Sequence, residues 1–186
     1  MTASKYRTID LVIPALCTAL LAVCAQIAIP LPNMVLTLQT FGVAFCGYLL
    51  TTKYAGLCIA AYLLLGTAGV PVFSSMRGGL SVLTGVTGGF LIGFIPMILL
   101  CSLSRKRVPA LLLGMLGLLI CELLGTLQFM LVTNVSFPAA ALKASLPYLP
   151  KDAVSVLLAW LLTERLRRYL PECAAVGYRS STNQNH

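Results

Sequence analysis

Long apolar runs separated by short polar segments dominate the chain. The runs extend for about 20 residues, the length that a helix needs to cross a hydrocarbon core of roughly 30 Å. Apolar and polar residues do not alternate within the runs, and a lipid environment accepts only helices or closed barrels, so the pattern favours helices. We predict six membrane-spanning helices, at about residues 9–29, 36–52, 55–71, 82–103, 109–133 and 152–169.

Composition supports a membrane location. Of the 186 residues, 59% are hydrophobic and 10% are charged, against roughly 45–50% and about 25% in an ordinary soluble domain. We therefore predict an all-α integral membrane protein with one compact domain, residues 1–170, formed by a bundle of six transmembrane helices. The last segment, residues 171–186, is polar and is expected to be a disordered tail.

The basic residues predict the orientation of the bundle. If the N-terminus is cytoplasmic, three basic residues lie outside, Arg77, Lys143 and Lys151, and ten lie inside. Cytoplasmic loops carry such an excess of lysine and arginine, so we predict that both termini are cytoplasmic. Attraction to anionic lipid headgroups explains the net charge of +8 without a nucleic acid partner. The ten inner residues are Lys5, Arg7, Lys53, Arg105, Lys106, Arg107, Arg165, Arg167, Arg168 and Arg179.

Several kinds of site lack the residues that they need. The single histidine is the terminal His186 and the seven cysteines form no CxxC pair, so no metal site is expected. The chain has no Walker-type phosphate loop, so we do not expect it to hydrolyse ATP itself. Acids and bases are few within the spans and none is paired with a nucleophile, so we predict that the protein is not an enzyme and holds no cofactor.

A small charged cluster is predicted at the outer surface. Arg77 lies between the third and fourth spans, whereas Lys151 and Asp152 open the sixth span. The topology places all three at the same depth, where they form either a solvated ion pair or the polar wall of a ligand pocket. Arg77 is followed by Gly78, Gly79 and the sequence TGVTGG, whose glycines allow a ligand or a neighbouring helix to approach closely.

Four segments carry a resemblance to a known family. They are LTLQTFGVAFCGYLL, AYLLLGTAGVPVF, GGLSVLTGVTGGFLIGF and PYLPKDAVSVLLA, in order over most of residues 15–165. Together they resemble the BioY family, the biotin-binding S components of energy-coupling-factor (ECF) vitamin transporters. The resemblance implies a multi-pass protein of a prokaryotic plasma membrane that captures biotin from the outer side. Its partners would be a transmembrane coupling protein and a pair of ABC-type ATPases, which use the ATP.

The resemblance also implies a set of ligand-binding residues. The Arg77 guanidinium would bind the biotin carboxylate through two parallel hydrogen bonds, at a place where water is partly excluded. The Asp152 carboxylate would accept from the N–H groups of the ureido ring. The segment IPLPNMVLTLQT, between the first two spans, would be either a lid over the pocket or a simple turn. The remaining candidate ligand residues are Lys151, Gln39, Gly79 and Thr87.

The chain departs from the family pattern at two positions. Relatives resemble PGDLIK at the start of the sixth span, with a lysine that helps to hold the ligand, where this chain has Ser155. Lys151 is the candidate to replace that cation, although adjacent residues of a helix point about 100° apart. The usual GPTGG reads GVTGG here, with Val86 in place of proline.

The first span contains a stripe of small residues, Ala15, Ala19 and Ala22. In lipid, small residues permit close helix–helix approach and often mark an association face. The stripe packs either against another span of the same chain or against a partner. The resemblance favours a partner, since the matching motif of S components docks against the coupling protein.

Glu122, inside the fifth span, has no place in this assignment. A buried carboxyl group in a membrane usually faces the interior of the bundle. It supports an alternative function, a proton-coupled secondary transporter of a small organic anion in which Glu122 is the titrating group. Six short spans without an inverted repeat argue against that alternative.

Overall fold

The computed structural model describes residues 8–30, 35–103 and 107–169. Its helices are α1 (Thr8–Gln26), α2 (Gln39–Leu49), α3 (Thr52–Thr67), α4 (Leu80–Thr84), α5 (Gly88–Leu103), α6 (Arg107–Thr133), α7 (Phe137–Ala144) and α8 (Leu149–Tyr169). A two-stranded antiparallel hairpin, β1 (Ala28–Pro30) and β2 (Val35–Thr37), separates α1 from α2. The predicted tail, residues 171–186, and the basic residues Lys5, Arg7, Arg105, Lys106 and Arg179 lie outside the described residues.

Each predicted span contains one long helix, so the helical class is confirmed. The spans correspond to α1, α2, α3, α5, α6 and α8. Hydropathy did not predict α7, which is short and lies between two apolar runs, and it merged the end of α4 with α5 in a single span that begins at residue 82. It also missed the β-hairpin, whose strands have three residues each.

Helix length varies widely within the bundle. In the described part of the chain, only Val108–Thr133 is long and apolar enough by itself to cross a membrane. Leu11–Gln26 and Gly88–Leu103 are equally apolar in character but shorter. The 11 residues of α2 extend only about 17 Å at 1.5 Å per residue. The number of helices that cross the bilayer therefore stays a prediction.

Helices α5 and α6 pack closely along their length. A Cβ atom on Gly89 would come within 2.4 Å of the Leu124 carbonyl oxygen, and one on Gly93 within 2.7 Å of the Cys121 Cα atom. These two glycines therefore serve helix packing, one of the two uses that the sequence left open. Gly85 belongs to a different place, the end of α4.

The outer surface of the bundle is apolar. Exposed leucines recur along one face of α6 at helical spacing, whereas Leu118, Cys121 and Glu122 are buried on its other side. Such a stripe is favourable in lipid and unfavourable in water, which agrees with a membrane location. The exposed leucines of α6 are Leu112, Leu116, Leu119, Leu123, Leu127 and Leu131.

Candidate functional site

A cavity of about 710 Å³, its open mouth included, lies between the first turns of α2, α5 and α8 and the middle of α6. The structure brings together five of the six predicted ligand residues, because Arg77, Asp152, Lys151, Gln39 and Thr87 all line this cavity.

Gly79, the sixth predicted ligand residue, is not among the lining residues. Its φ angle of 97° is one that glycine adopts readily. Its N–H donates to the Gly66 carbonyl at 2.7 Å. Gly79 therefore shapes the turn into α4, close to Arg77 in sequence but outside the cavity wall.

The arginine loop, residues 71–77, forms one side of the cavity. Ser75 and Met76 have φ angles of 60° and 56°, a left-handed conformation that is uncommon for residues other than glycine. The loop is closed on itself by the Phe73 N–H, which donates to the Arg77 carbonyl at 3.0 Å. A conformation of this kind persists only when the surrounding structure holds it.

Two helices supply that support. From the end of α1, the Gln26 amide donates to the Phe73 carbonyl and accepts from the Met76 N–H, both at 3.0 Å. From α3, the Tyr62 hydroxyl donates to the Val72 carbonyl at 3.0 Å, and its ring packs edge-on against Phe73. The position of Arg77 thus depends on side chains that are distant in sequence.

Arg77 is exposed to solvent at the mouth of the cavity. Its Nε donates to the Ser74 carbonyl at 3.2 Å, which fixes the side chain near the loop. No carboxylate among the described residues pairs with it. The Ser74 hydroxyl is buried in the same wall and has no hydrogen-bond partner. The loop therefore offers a cation and a neutral donor to one ligand group.

The first turn of α8 provides the opposite charge. Asp152 is buried, at 4% exposure, and the positive end of the helix dipole favours a carboxylate there. Lys151 contacts Asp152 Oδ1 at 2.5 Å and donates to the Thr37 carbonyl of β2 at 2.9 Å. That contact is an ion pair, and Oδ1 accepts no further hydrogen bond from the described residues. The long lysine side chain overcomes the divergence expected of adjacent helical residues.

Gln39 and Thr87 lie at the starts of two other helices. Gln39 begins α2, is buried, and donates from Nε2 to the Tyr62 hydroxyl at 2.8 Å. Thr87 precedes α5, in a segment that Gln128 holds through bonds from Nε2 to the Leu83 and Gly85 carbonyls. Each is thus placed by a contact from another helix.

Glu122 also lines the cavity, from the middle of α6. It is 8% exposed, and its Oε2 atom has no hydrogen-bond partner. The hydroxyls of Thr126 and Ser145 both donate to its backbone carbonyl rather than to this oxygen. A carboxyl group that the first assignment left aside therefore belongs to the same site as Arg77 and Asp152.

Comparison with known proteins identifies the family. The model of the BioY family matches residues 1–172. The chain belongs to the BioY family. This confirms the resemblance that the four sequence segments indicated.

Curated members of the family cover most of the chain. A probable biotin transporter BioY from Pyrococcus horikoshii is 36% identical over 88% of this chain and 98% of its own length. The biotin transporter BioY of Thermotoga maritima is 37% identical over 81% of this chain and 91% of its own. Biotin transporter BioY2 of Lactococcus lactis is 33% identical over 91% of this chain and 95% of its own length. These names describe transporters and not enzymes, in agreement with the prediction from the sequence.

The fold is also that of a solved structure. The S component for biotin from an ECF-type ABC transporter superposes with a TM-score of 0.82, over 90% of this chain and 95% of that one. The two sequences are 22% identical, so the likeness concerns the fold.

Aromatic residues of the cavity wall were not predicted. Phe73, Phe90, Phe94 and Tyr148 all line the cavity and provide apolar or amphipathic surface. Burial raises the pKa of the Tyr148 phenol, so the hydroxyl remains neutral at ordinary pH. Sequence could not select these residues, because an apolar span does not reveal which of its faces borders a cavity. Ser155, the position where relatives resemble lysine, is buried but does not line the cavity.

The alanine stripe of α1 lies on the surface. Ala15 and Ala19 are exposed and Ala22 is half-buried, and all three line a shallow apolar depression between α1 and α3. Ala25, which continues the pattern, is fully buried and belongs to the core. The stripe therefore faces outward over its first part, where a neighbouring helix can reach it.

Proposed function

We propose that this protein is the membrane subunit that captures biotin for an ECF-type uptake system. The observation that carries the proposal is the cavity that unites Arg77, Asp152 and Lys151 in a member of the BioY family. The relatives are named biotin transporters, and the solved neighbour is an S component for biotin.

The groups in the cavity complement the parts of biotin. Arg77 and the unpartnered Ser74 hydroxyl, side by side on the arginine loop, would bind the carboxylate at the end of the valerate tail. The buried carboxylate of Asp152, which Lys151 holds through an ion pair to Oδ1, would accept from a ureido N–H. Phe73, Phe90 and other apolar residues would cover the bicyclic ring.

The proposed topology has six spans and both termini in the cytoplasm, with the cavity open to the outside. It places the arginine loop and the start of α8 together on the outer side, and it leaves ten of the 13 basic residues on the inner side, as expected from the positive-inside rule. The single domain of residues 1–170 would sit in the plasma membrane of a prokaryote. Its lipid-facing surface would include the leucine stripe of α6.

Energy would come from partner subunits. The exposed stripe of Ala15, Ala19 and Ala22 would dock against a transmembrane coupling protein, which a pair of ABC-type ATPases drives. The chain itself would use no cofactor. A proton-coupled carrier is not favoured, because the solved neighbour is an S component of an ECF-type ABC transporter.

Calorimetric titration of the purified protein with biotin tests this function. We expect tight binding without nucleotide, and weak or no binding of thiamine and riboflavin. Biotin at ~100 times its dissociation constant should also raise the free energy of unfolding by about 2.7 kcal/mol. Absence of both heat and thermal protection with biotin would refute the proposal.

A further inference from the structure

Glu122 presents a problem of polar satisfaction. Burial of a carboxyl group away from water costs free energy unless hydrogen bonds replace those to water. The Oε2 atom of Glu122 is buried and has no hydrogen-bond partner among the residues that the structure describes. Another hydrogen-bond donor must offset this cost when the cavity is occupied. Without one, Glu122 would only lower the free energy of unfolding.

The described residues supply no hydrogen bond to Oε2. Thr126 and Ser145 donate to the backbone carbonyl of Glu122, and the Ser145 hydroxyl also lies within hydrogen-bond reach of the carboxyl group, yet Oε2 itself receives no bond. Lys151 is close enough to attract the Glu122 carboxylate electrostatically. Its ammonium group, however, already contacts Asp152 and donates to the Thr37 carbonyl. The free oxygen therefore faces a cavity with no internal donor assigned to it.

Two such oxygens occur in the same cavity. Glu122 Oε2 and Asp152 Oδ1 are both buried, and neither accepts a hydrogen bond from the described residues, although Oδ1 is ion-paired with the Lys151 ammonium. The two carboxyl groups are near enough to interact electrostatically. Side by side they repel each other when ionised, so an arrangement with two donors between them is more favourable than an empty one.

We propose that Glu122 is a second acidic recognition residue, which accepts a hydrogen bond from the bound ligand. The inference rests on the proposed function and deepens it. The ureido ring of biotin carries two N–H donors, one on each side of its carbonyl, and the cavity has two carboxyl oxygens that accept no hydrogen bond from the described residues, one of them ion-paired with Lys151. Asp152 takes one N–H and Glu122 takes the other. The ligand class is thus a cyclic urea with an acidic tail, and a ring with a single N–H fits less well.

Paired variants and paired ligands test this assignment. The ligands are biotin and two carbamate analogues, in each of which a ring oxygen replaces one ureido N–H. Glu122→Leu should weaken biotin binding about 10- to 100-fold, the loss expected for one hydrogen bond to a charged group. It should scarcely affect the analogue that lacks the N–H facing Glu122. Asp152→Asn should show the complementary preference for the other analogue.

Further variants separate recognition from folding. Glu122→Gln retains an acceptor oxygen and should lose less affinity than Glu122→Leu. Glu164→Gln, which removes an acid paired with Arg167 on α8 outside the cavity, should leave biotin affinity unchanged. Without ligand, Glu122→Leu should unfold at the same temperature as the wild type or higher, because it removes an unpartnered buried group.

Two results would overturn the inference alone. One is unchanged biotin affinity in Glu122→Leu. The other is an equal loss for biotin and both analogues, which would mean that Glu122 shapes the cavity without contacting a ureido N–H. If the wild-type protein binds no biotin at all, the proposed function fails together with this assignment.

Discussion

Replacing Gln26 by methionine tests whether the arginine loop determines ligand affinity. Methionine keeps the length of the side chain but removes the amide. The variant therefore loses two short bonds, to the Phe73 carbonyl and the Met76 N–H, each 3.0 Å long in the wild type, and a longer one to the Pro71 carbonyl at 3.4 Å. Gln26 lies outside the cavity wall, so any effect on binding must pass through the loop.

The size of the effect follows from the two short bonds. A net hydrogen bond contributes roughly 0.5–1.5 kcal/mol, so the loop loses about 1–3 kcal/mol of support. Fewer molecules then hold Ser75 and Met76 in the left-handed conformation. The apparent dissociation constant for biotin rises in inverse proportion to the fraction of molecules that keep this conformation. The upper limit is an increase of about 150-fold in the dissociation constant. We expect the dissociation constant to increase about 5- to 10-fold, because the Tyr62 hydroxyl still bonds to the Val72 carbonyl and supports the loop.

Two measurements together decide the matter. Titration calorimetry gives the dissociation constant for biotin, and hydrogen exchange reports the protection of the Met76 amide. Thr67→Ala is a suitable control, because the Thr67 hydroxyl bonds only to the Leu64 carbonyl of its own helix. Faster exchange at Met76 with unchanged affinity would refute the reasoning, since the loop would then open without consequence for the ligand.

Other predictions concern charge and docking. Arg77→Ala should weaken biotin binding by roughly 1.5–3 kcal/mol, the range for a hydrogen bond to a charged group, because solvent reaches the exposed guanidinium and screens it. The loss should shrink for biotin amide, and an equal loss for acid and amide would assign Arg77 a purely structural role. Ala19→Trp should leave biotin affinity nearly intact but reduce co-purification with the coupling protein. Loss of biotin affinity as well would place this stripe inside the ligand-binding unit.

The fold was predictable where the pattern is long. Apolar runs located every long helix, since burial in lipid requires about 20 residues of one character. The sequence did not predict the hairpin or α7, because both are short and depend on tertiary contacts. Those contacts have no local signature in the sequence.

The candidate site was predictable where charge is rare. Arg77, Lys151 and Asp152 stood out in an apolar chain, and the structure places them around one cavity. We predicted Gly79 as a ligand residue because it is close to Arg77 in sequence. The structure instead places it in a turn, outside the cavity wall. The support from Gln26 could not be predicted, because one glutamine at a helix end has no pattern that identifies its partner.

The bond between Lys151 and Thr37 joins positions 114 residues apart. Contacts of such long range form only after most of the chain is available. During synthesis, the hairpin leaves the ribosome early, whereas its anchor arrives with α8, the last described helix. The same final helix delivers Asp152. A nascent chain that ends at α7 therefore lacks Lys151 and Asp152, and the polar wall of the cavity is complete only after α8 has been made.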